Sequence, residues 1–294
     1  RNVALMKPHI GHLALDKLTA DHVERMLNDL RNRGGRNGRP LSTRSVQYAL
    51  QTLRRALKRA VRHRIIAENV ASLVEMPSGD RHEVQPFTED EVQRFLDEVD
   101  KLQNTGLKAL YYTGVLLGLR EGELLGLRWQ DVDLKRGRLC VRQQLQHITL
   151  AGEKATTKKL KTKESRRDLT LPNDVHAALR AHHDATRLQG RPCEGDALVF
   201  PSTAGTPLIP RNLIRHYKGV LKRASLPDRR FHDLRHTAAT LMFARGLEAA
   251  EVQRVLGHAS LAITTQTYIH WLPDRQERAA AVMNDFRSRR AAGD

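Results

Sequence analysis

Along most of the chain apolar residues recur at the three- and four-residue spacing of one helix face, and only briefly at the two-residue spacing of a strand. Val23, Met26, Leu27 and Leu30 form the first long stripe, with Thr19 placed to cap it and Arg31, Arg33 and Gly34 at its end. After the turn-rich GGRNGRP stretch, Ser42 opens a longer helix with Val46, Leu50, Leu53, Leu57 and Val61 inward. MPSGDRHEVQPF, residues 76–87, interrupts the pattern with Pro, Gly and charge. Thr88 with Glu91 then predicts a capping box for a helix carrying Val92, Phe95, Leu96 and Val99. Leu107, Leu110, Tyr111, Gly114 and Val115 predict an apolar helix that ends at Gly118. Alternation at Leu139, Val141 and Leu145, and again at Leu169 and Leu171, predicts a small antiparallel sheet. Asn173 is placed to cap a helix with Val175, Ala178 and Leu179; LVFPSTAGTPLIP predicts a short buried strand with a Gly/Pro turn; Leu213, Ile214, Tyr217 and Leu221 make another helical stripe. From Phe231 to Trp271 the pattern predicts three short consecutive helices. The first carries Leu234, Ala238, Leu241 and Met242 and stops at Gly246; the second carries Val252, Val255 and Leu256 and stops at Gly257. The third opens at Ser260 and aligns Leu261, Tyr268 and Leu272. Beyond Pro273, Ala279, Val282, Met283 and Phe286 predict a short tail helix.

These elements predict a mainly α fold with a small antiparallel β-sheet (α+β), in two domains. Residues 1–78 form a helical domain, 79–85 a linker, and 86–294 a second domain ending in the tail helix. A flexible tether of this kind lets two domains close around a partner as a clamp.

Charge narrows the partner. The 294 residues hold 50 Lys and Arg against 33 Asp and Glu, a net charge of +17, which points to a polyanion. No apolar run approaches the roughly 20 residues of a spanning helix, so a membrane is not expected. Cys140 and Cys193 are far apart and form no C-x-x-C, which argues against a disulfide framework or a zinc ribbon and for a cytosolic protein. The sequence opens at Arg1 without Met or signal peptide, so an upstream piece is expected to have been removed. On the helix opened by Ser42, the positions away from the core hold Arg44, Gln47, Tyr48, Gln51, Arg54, Arg55, Lys58, Arg59 and Arg62. With no interleaved acids these charges repel one another, and a phosphate backbone relieves them. Gln47, Tyr48 and Gln51 are candidates for base-edge contacts.

The densest chemistry lies between Phe231 and Trp271. His232 and Arg235, at i and i+3, point the same way on a helical turn; His258 follows Gly257; Tyr268 lies on an inward stripe. Taken singly, each has an ordinary reading as a core tyrosine, a helix-end cap or a solvated charge. Taken together, H-x-x-R, then L-G-H, then a tyrosine ten residues on, resemble the tyrosine recombinases of the phage integrase family. GLREGELLGLRWQDVDL resembles that family's first signature box, which implies a catalytic Arg120 and a supporting Glu123. KTKESRR resembles its β-hairpin, which implies a catalytic lysine: Lys161 by position, with Lys159 and Lys163 still open. The remaining lysines of that run, Lys158 with Lys159 and Lys163, are expected on DNA phosphates.

The resemblance implies site-specific recombination of double-stranded DNA at core sites, for integration or excision of a mobile element. Tyr268 would attack the scissile phosphate and form a 3′-phosphotyrosine. Arg120, Arg235 and His258 would stabilise the charge that develops, His232 would take the tyrosine proton or orient the phosphate, and Lys161 would protonate the leaving 5′ oxygen. It further implies no cofactor and no metal, a homo-tetramer on DNA, DNA-bending or directionality proteins as accessories, and a bacterial or phage-encoded protein at the nucleoid in the cytoplasm. No G-x-x-x-x-G-K-[ST] loop is present, as expected of chemistry that needs no ATP. Three rivals differ on the same residues. A type IB topoisomerase would lack the helical first domain and this spacing, and a DNA-binding module would need neither Arg120 nor Tyr268. A zinc hydrolase built on His232, His236, His258 and His270 would show H-E-x-x-H or a carboxylate cluster.

Overall fold

The computed structural model describes residues 2–79, 85–146, 156–159, 166–258 and 260–261. The chain divides into two compact units, Arg1–Glu83 and Val84–Asp294, and is mainly helical with small antiparallel sheets.

The first unit holds α1 (Asn2–Ile10), α2 (Ala20–Arg33) and α3 (Thr43–Arg62). Thr19 and Ser42 cap α2 and α3 by accepting from the backbone N–H groups of His22 and Ser45. Val23, Met26 and Leu30 of α2 pack with Val46, Leu50 and Leu57 of α3. Full burial of side chains this size is worth about 1.5–3 kcal/mol each, which fixes the facing stripes. The segment after α3 returns along it, with Ala71 and Val74 in the same core. Its carbonyls need donors, and α3 supplies them. Arg54 Nε donates to Ala71 O at 2.9 Å and its Nη2 to Val74 O; Gln47 donates to Pro77 O at 2.7 Å. Two side chains expected on DNA are thus bonded to the unit's own backbone. Arg44, Tyr48, Arg55, Lys58 and Arg59 remain exposed, with the Arg44 guanidinium 4.6 Å from the centre of the Tyr48 ring.

The second unit runs α4 (Glu89–Asp100), α5 (Thr105–Leu117), α6 (Glu121–Leu125), β1 (Val132–Asp133), β2 (Arg138–Val141), β3 (Gln143–Gln146), β4 (Thr156–Lys159), β5 (Arg167–Thr170), α7 (Asn173–Leu188), α8 (Pro210–Arg223), α9 (Asp233–Ala244) and α10 (Ala249–Leu256). The Thr88–Glu91 capping box is present. An aromatic cluster of Phe95, Tyr111, Tyr217 and Phe231 ties α4, α5, α8 and the start of α9 together.

Among the described residues the structure departs from the pattern in several places. One sheet was expected and two occur. β2 pairs antiparallel with β1 and β5, in the register Leu139↔Leu169 and Val141↔Arg167. β3 pairs with β4, in the register Leu145↔Thr157, and packs on α6; Arg142 separates it from β2. Residues 198–210 form no strand but two isolated bridges, Arg128↔Leu198 and Pro201↔Pro207, since each proline removes a ladder donor. Asn173 is the first helical residue and Pro172 the cap. Finally, the buried stripes of α8 and α9 are rotated from expectation. Val220 is buried and Ile214 is exposed; Ala239 and Phe243 are buried while Leu241 and Met242 are half-buried. Ala239 and Phe243 turn inward because Val252 and Leu256 of α10 pack on them. No described helix is long and apolar enough to cross a membrane.

Candidate active site around the end of helix α10

The site begins where α5 has to stop. Gly118 takes a left-handed conformation, φ 63°, and its N–H donates to Gly114 O. A Cβ there would lie 2.6 Å from a Leu256 methyl, so the turn at Gly118 presses directly on the end of α10. Two residues on, Arg120 is the N-cap of α6. Its N–H donates to Glu123 Oε2 at 3.0 Å and its Nη1 to Oε1 at 2.8 Å. The Glu123 side chain is fully buried while that of Arg120 stays 34% exposed.

Helix α10 ends at Gly257, φ 67°. Its last carbonyls have no partner within the helix, and arginines from three other elements take them in succession. Arg167 Nε, at the start of β5, donates to Val255 O at 2.6 Å. Arg235 Nη2, from the first turn of α9, donates to Leu256 O at 2.6 Å, and its Nη1 reaches Gly118 O at 2.8 Å. Arg120 Nη2 donates to Gly257 O at 3.1 Å. The negative end of the helix dipole favours this packing of like charges. Arg167 also bonds both oxygens of Glu123, at 2.9 and 3.3 Å. Any side chain at position 257 is excluded twice over, by the left-handed φ and by Arg167 Nη1, which lies 2.9 Å from where a Cβ would stand.

Three histidines border this cluster. His258 is buried directly after Gly257, and Gln253 holds its backbone by donating to His258 O at 3.1 Å. His232, at the start of α9, keeps solvent contact, and its ring meets that of His236 edge-on at 5.1 Å. Desolvation pushes the imidazole of His258 down to about 3, helped by the charges of Arg235 and Arg120. Desolvation, then His232, pushes His236 down to about 4; desolvation, then Arg235 and Arg120, lowers His232. All three are therefore neutral at pH 7, each with one ring nitrogen able to donate and one to accept.

The sign for stability follows. The unfolded chain binds protons near pH 6.5, where the folded histidines do not. Their contribution is thus complete above about pH 6.5 and is lost as pH falls towards the folded values. The thermal midpoint of the second unit is expected to drop between pH 7 and 5, before most carboxylates titrate, and inorganic phosphate is expected to reduce the drop. A midpoint that is flat over that window would rule this out.

The structure therefore brings Arg120, Glu123, His232, Arg235 and His258 together. Lys158 and Lys159 lie on β4, with Lys158 exposed. Lys161, Lys163, Tyr268 and the tail helix lie outside the described residues. Arg167 was missed by the sequence reading. Its signal was strand parity, since Arg167 shares the buried face of β5 with Leu169, whereas Arg166 and Asp168 face out.

Residues 85–275 match the sequence model of the phage integrase family. The chain belongs to the phage integrase family. It is 32% identical over 217 residues to a tyrosine recombinase XerC-like protein of Caldanaerobacter subterraneus subsp. tengcongensis, a match covering 69% of this chain and 55% of that one. It is 29% identical to an integrase of Streptomyces ambofaciens, over 94% of this chain and 71% of the relative. The chain thus spans about half the length of the first relative. Among solved structures, the Tn1549 transposon integrase bound to transposon right-end DNA superposes with a TM-score of 0.76 at 20% identity, covering 96% of this chain and 90% of that one. A lambda integrase tetramer on a Holliday junction gives 0.66 at 18%, covering 93% and 70%. At these identities the likeness establishes the integrase fold.

Proposed function

We propose that this chain is the DNA-binding and catalytic part of a site-specific recombinase that cuts and rejoins DNA through a 3′-phosphotyrosine, in the integration or excision of a mobile element. The observation that carries the reading is the convergence of Arg120, Arg235, His232 and His258 at the end of α10. It is a preorganised, cationic, partly open cradle of a kind that suits a phosphodiester. A guanidinium presents a planar fork of permanent charge to two non-bridging oxygens, and the donors stand in place before charge develops on the phosphorane. Tyr268 is the nucleophile of this reading. Neutral His232 accepts its proton, Lys161 (or Lys159 or Lys163) protonates the leaving 5′ oxygen, and Glu123 holds Arg120. The phosphotyrosine remains a diester, so a second 5′ hydroxyl reverses the step without ATP. The solved relatives, an integrase bound to transposon-end DNA and an integrase tetramer on a Holliday junction, support DNA as partner and four protomers on it. They leave the accessory proteins and the place at the nucleoid as expectations.

The test is a nicked duplex spanning the ends of the encoding element, incubated with the chain in excess EDTA. A denaturation-resistant protein–DNA adduct is expected, because side chains here meet the charge that a metal meets elsewhere. Cleavage that needs added zinc or magnesium would instead support a metal nuclease.

The first unit is proposed to grip the duplex with the exposed face of α3. Log K is expected to fall against log[salt] with a slope of about −0.9 per phosphate contacted. Replacing Arg55, Lys58 and Arg59 together by Gln should flatten it by up to about three units. Arg54 is the wrong choice for this experiment, because its loss would release Ala71 and Val74. If the triple variant keeps the wild-type slope, that face is merely solvated.

A further inference from the structure

Arg167 is absent from the set of side chains that the family resemblance implies, yet it is bonded to two supports of that set. It is buried, and its guanidinium spans Val255 O on one side and both oxygens of Glu123 on the other. We propose that Arg167 is a positioning residue for strand cleavage: one guanidinium that sets Glu123, and through it Arg120, against the end of α10 that carries His258. The proposal rests on the recombinase reading above.

Packing alone does not account for the residue. An apolar side chain would continue the buried face of β5 at a lower desolvation cost. Only a planar fork reaches a carbonyl through Nε while bonding a carboxylate through both Nη atoms; a lysine has a single point of donation. Electrostatics supports the same link. Burial pushes the Glu123 carboxyl up, and the charge and hydrogen bonds of Arg167, followed by those of Arg120, outweigh it and hold the group below the usual carboxylate range. Among the described residues, the charged groups around Glu123 are Arg120 and Glu121 from the start of α6 and Arg167 from β5. Next to them, α10 brings its carbonyl end and His258, and α9 brings Arg235. An ionised Glu123 accepts from both the backbone and the guanidinium of Arg120. A protonated one loses acceptor capacity, and Arg120 loses its fixed place. Without Arg167 the support of Arg120 becomes dependent on pH.

The test compares Arg167→Gln, Arg167→Lys and the double variant Arg167→Gln/Glu123→Gln in the full chain. In the absence of DNA, NMR titration of the Glu123 carboxyl is expected to move upward by about three pH units in Arg167→Gln, as loss of its buried counter-charge allows. In single-turnover cleavage of the nicked duplex, that variant is expected to be about tenfold or more slower at pH 6 and to recover towards pH 8, with DNA affinity within about twofold. Arg167→Lys should fall between wild type and Arg167→Gln, and the double variant should be slow with a flat pH profile. Should Arg167→Gln fail to fold, Arg167→Lys carries the comparison, since it keeps the charge without the two-sided fork. An unchanged Glu123 titration overturns the proposal whatever the cleavage rate. So does a slower cleavage that keeps the wild-type pH profile and merely follows a lowered melting temperature. Wild-type protein that cleaves nothing refutes the recombinase reading instead, and the titration still decides whether Arg167 governs Glu123.

Discussion

Replacing Tyr268 by phenylalanine is expected to abolish the covalent adduct while leaving DNA affinity within about twofold. The substitution removes one oxygen and keeps the ring that the apolar stripe of Leu261 and Leu272 implies for that segment. Binding draws on the phosphate contacts of many side chains, none of which changes. In the proposed reaction cleavage draws on this hydroxyl, because it is the oxygen that forms the 3′-phosphotyrosine bond. A free tyrosine, with a pKa near 10, is a weak nucleophile at neutral pH, and in the proposed reaction the site at the end of α10 is what activates it. Arg120 and Arg235 place positive charge there, and neutral His232 offers a proton acceptor. The measurement is a denaturing gel of nicked duplex incubated with either protein. A labelled adduct with the phenylalanine variant would mean that another residue attacks.

Arg235→Lys is expected to slow cleavage by roughly 10²–10³-fold, the usual cost of losing one preorganised donor to a developing oxyanion. The charge survives this substitution, but the geometry does not. Arg235 is 2% exposed and joins Gly118 O to Leu256 O through separate nitrogens. An ammonium on a shorter reach serves one of these carbonyls and leaves the other buried without that donor, at about 1–3 kcal/mol. A lower melting temperature should therefore accompany the slower cleavage. Single-turnover rates at saturating DNA, beside thermal unfolding, separate the two effects. A rate within tenfold of wild type would remove Arg235 from the phosphate.

Much of this was legible in the sequence because it is local. Capping residues, Gly118 and Gly257 as helix stops, and the i, i+3 pairing of His232 with Arg235 depend on neighbours within a turn or two. What the sequence hid is non-local. Strand parity alone marks Arg167 as inward, and nothing near it in sequence says that Glu123 and Val255 stand opposite. Arg54 and Gln47 read as free cationic and polar positions on α3, because the returning segment whose carbonyls they bond comes from 17 to 30 residues further on. The rotated stripe of α9 has the same origin: Phe243 is drawn inward by α10, which its own helix cannot foretell.

Three guanidinium groups from α6, β5 and α9 each close on a different carbonyl at the end of one short helix. Their positions are consequently not independent variables. A withdrawal of α10 from the three guanidinium groups by about one ångström would stretch all three bonds past the limit of a good hydrogen bond together, and it would carry His258 along. Such a centre has no half-built form, so activity in the protein should be graded by the fraction of molecules with α10 seated rather than by the quality of any one contact. Amide exchange along α10 should then report on the competence of a distant variant before any DNA is added. A partner that levered this helix by that distance would silence every copy it touched without reaching the phosphate.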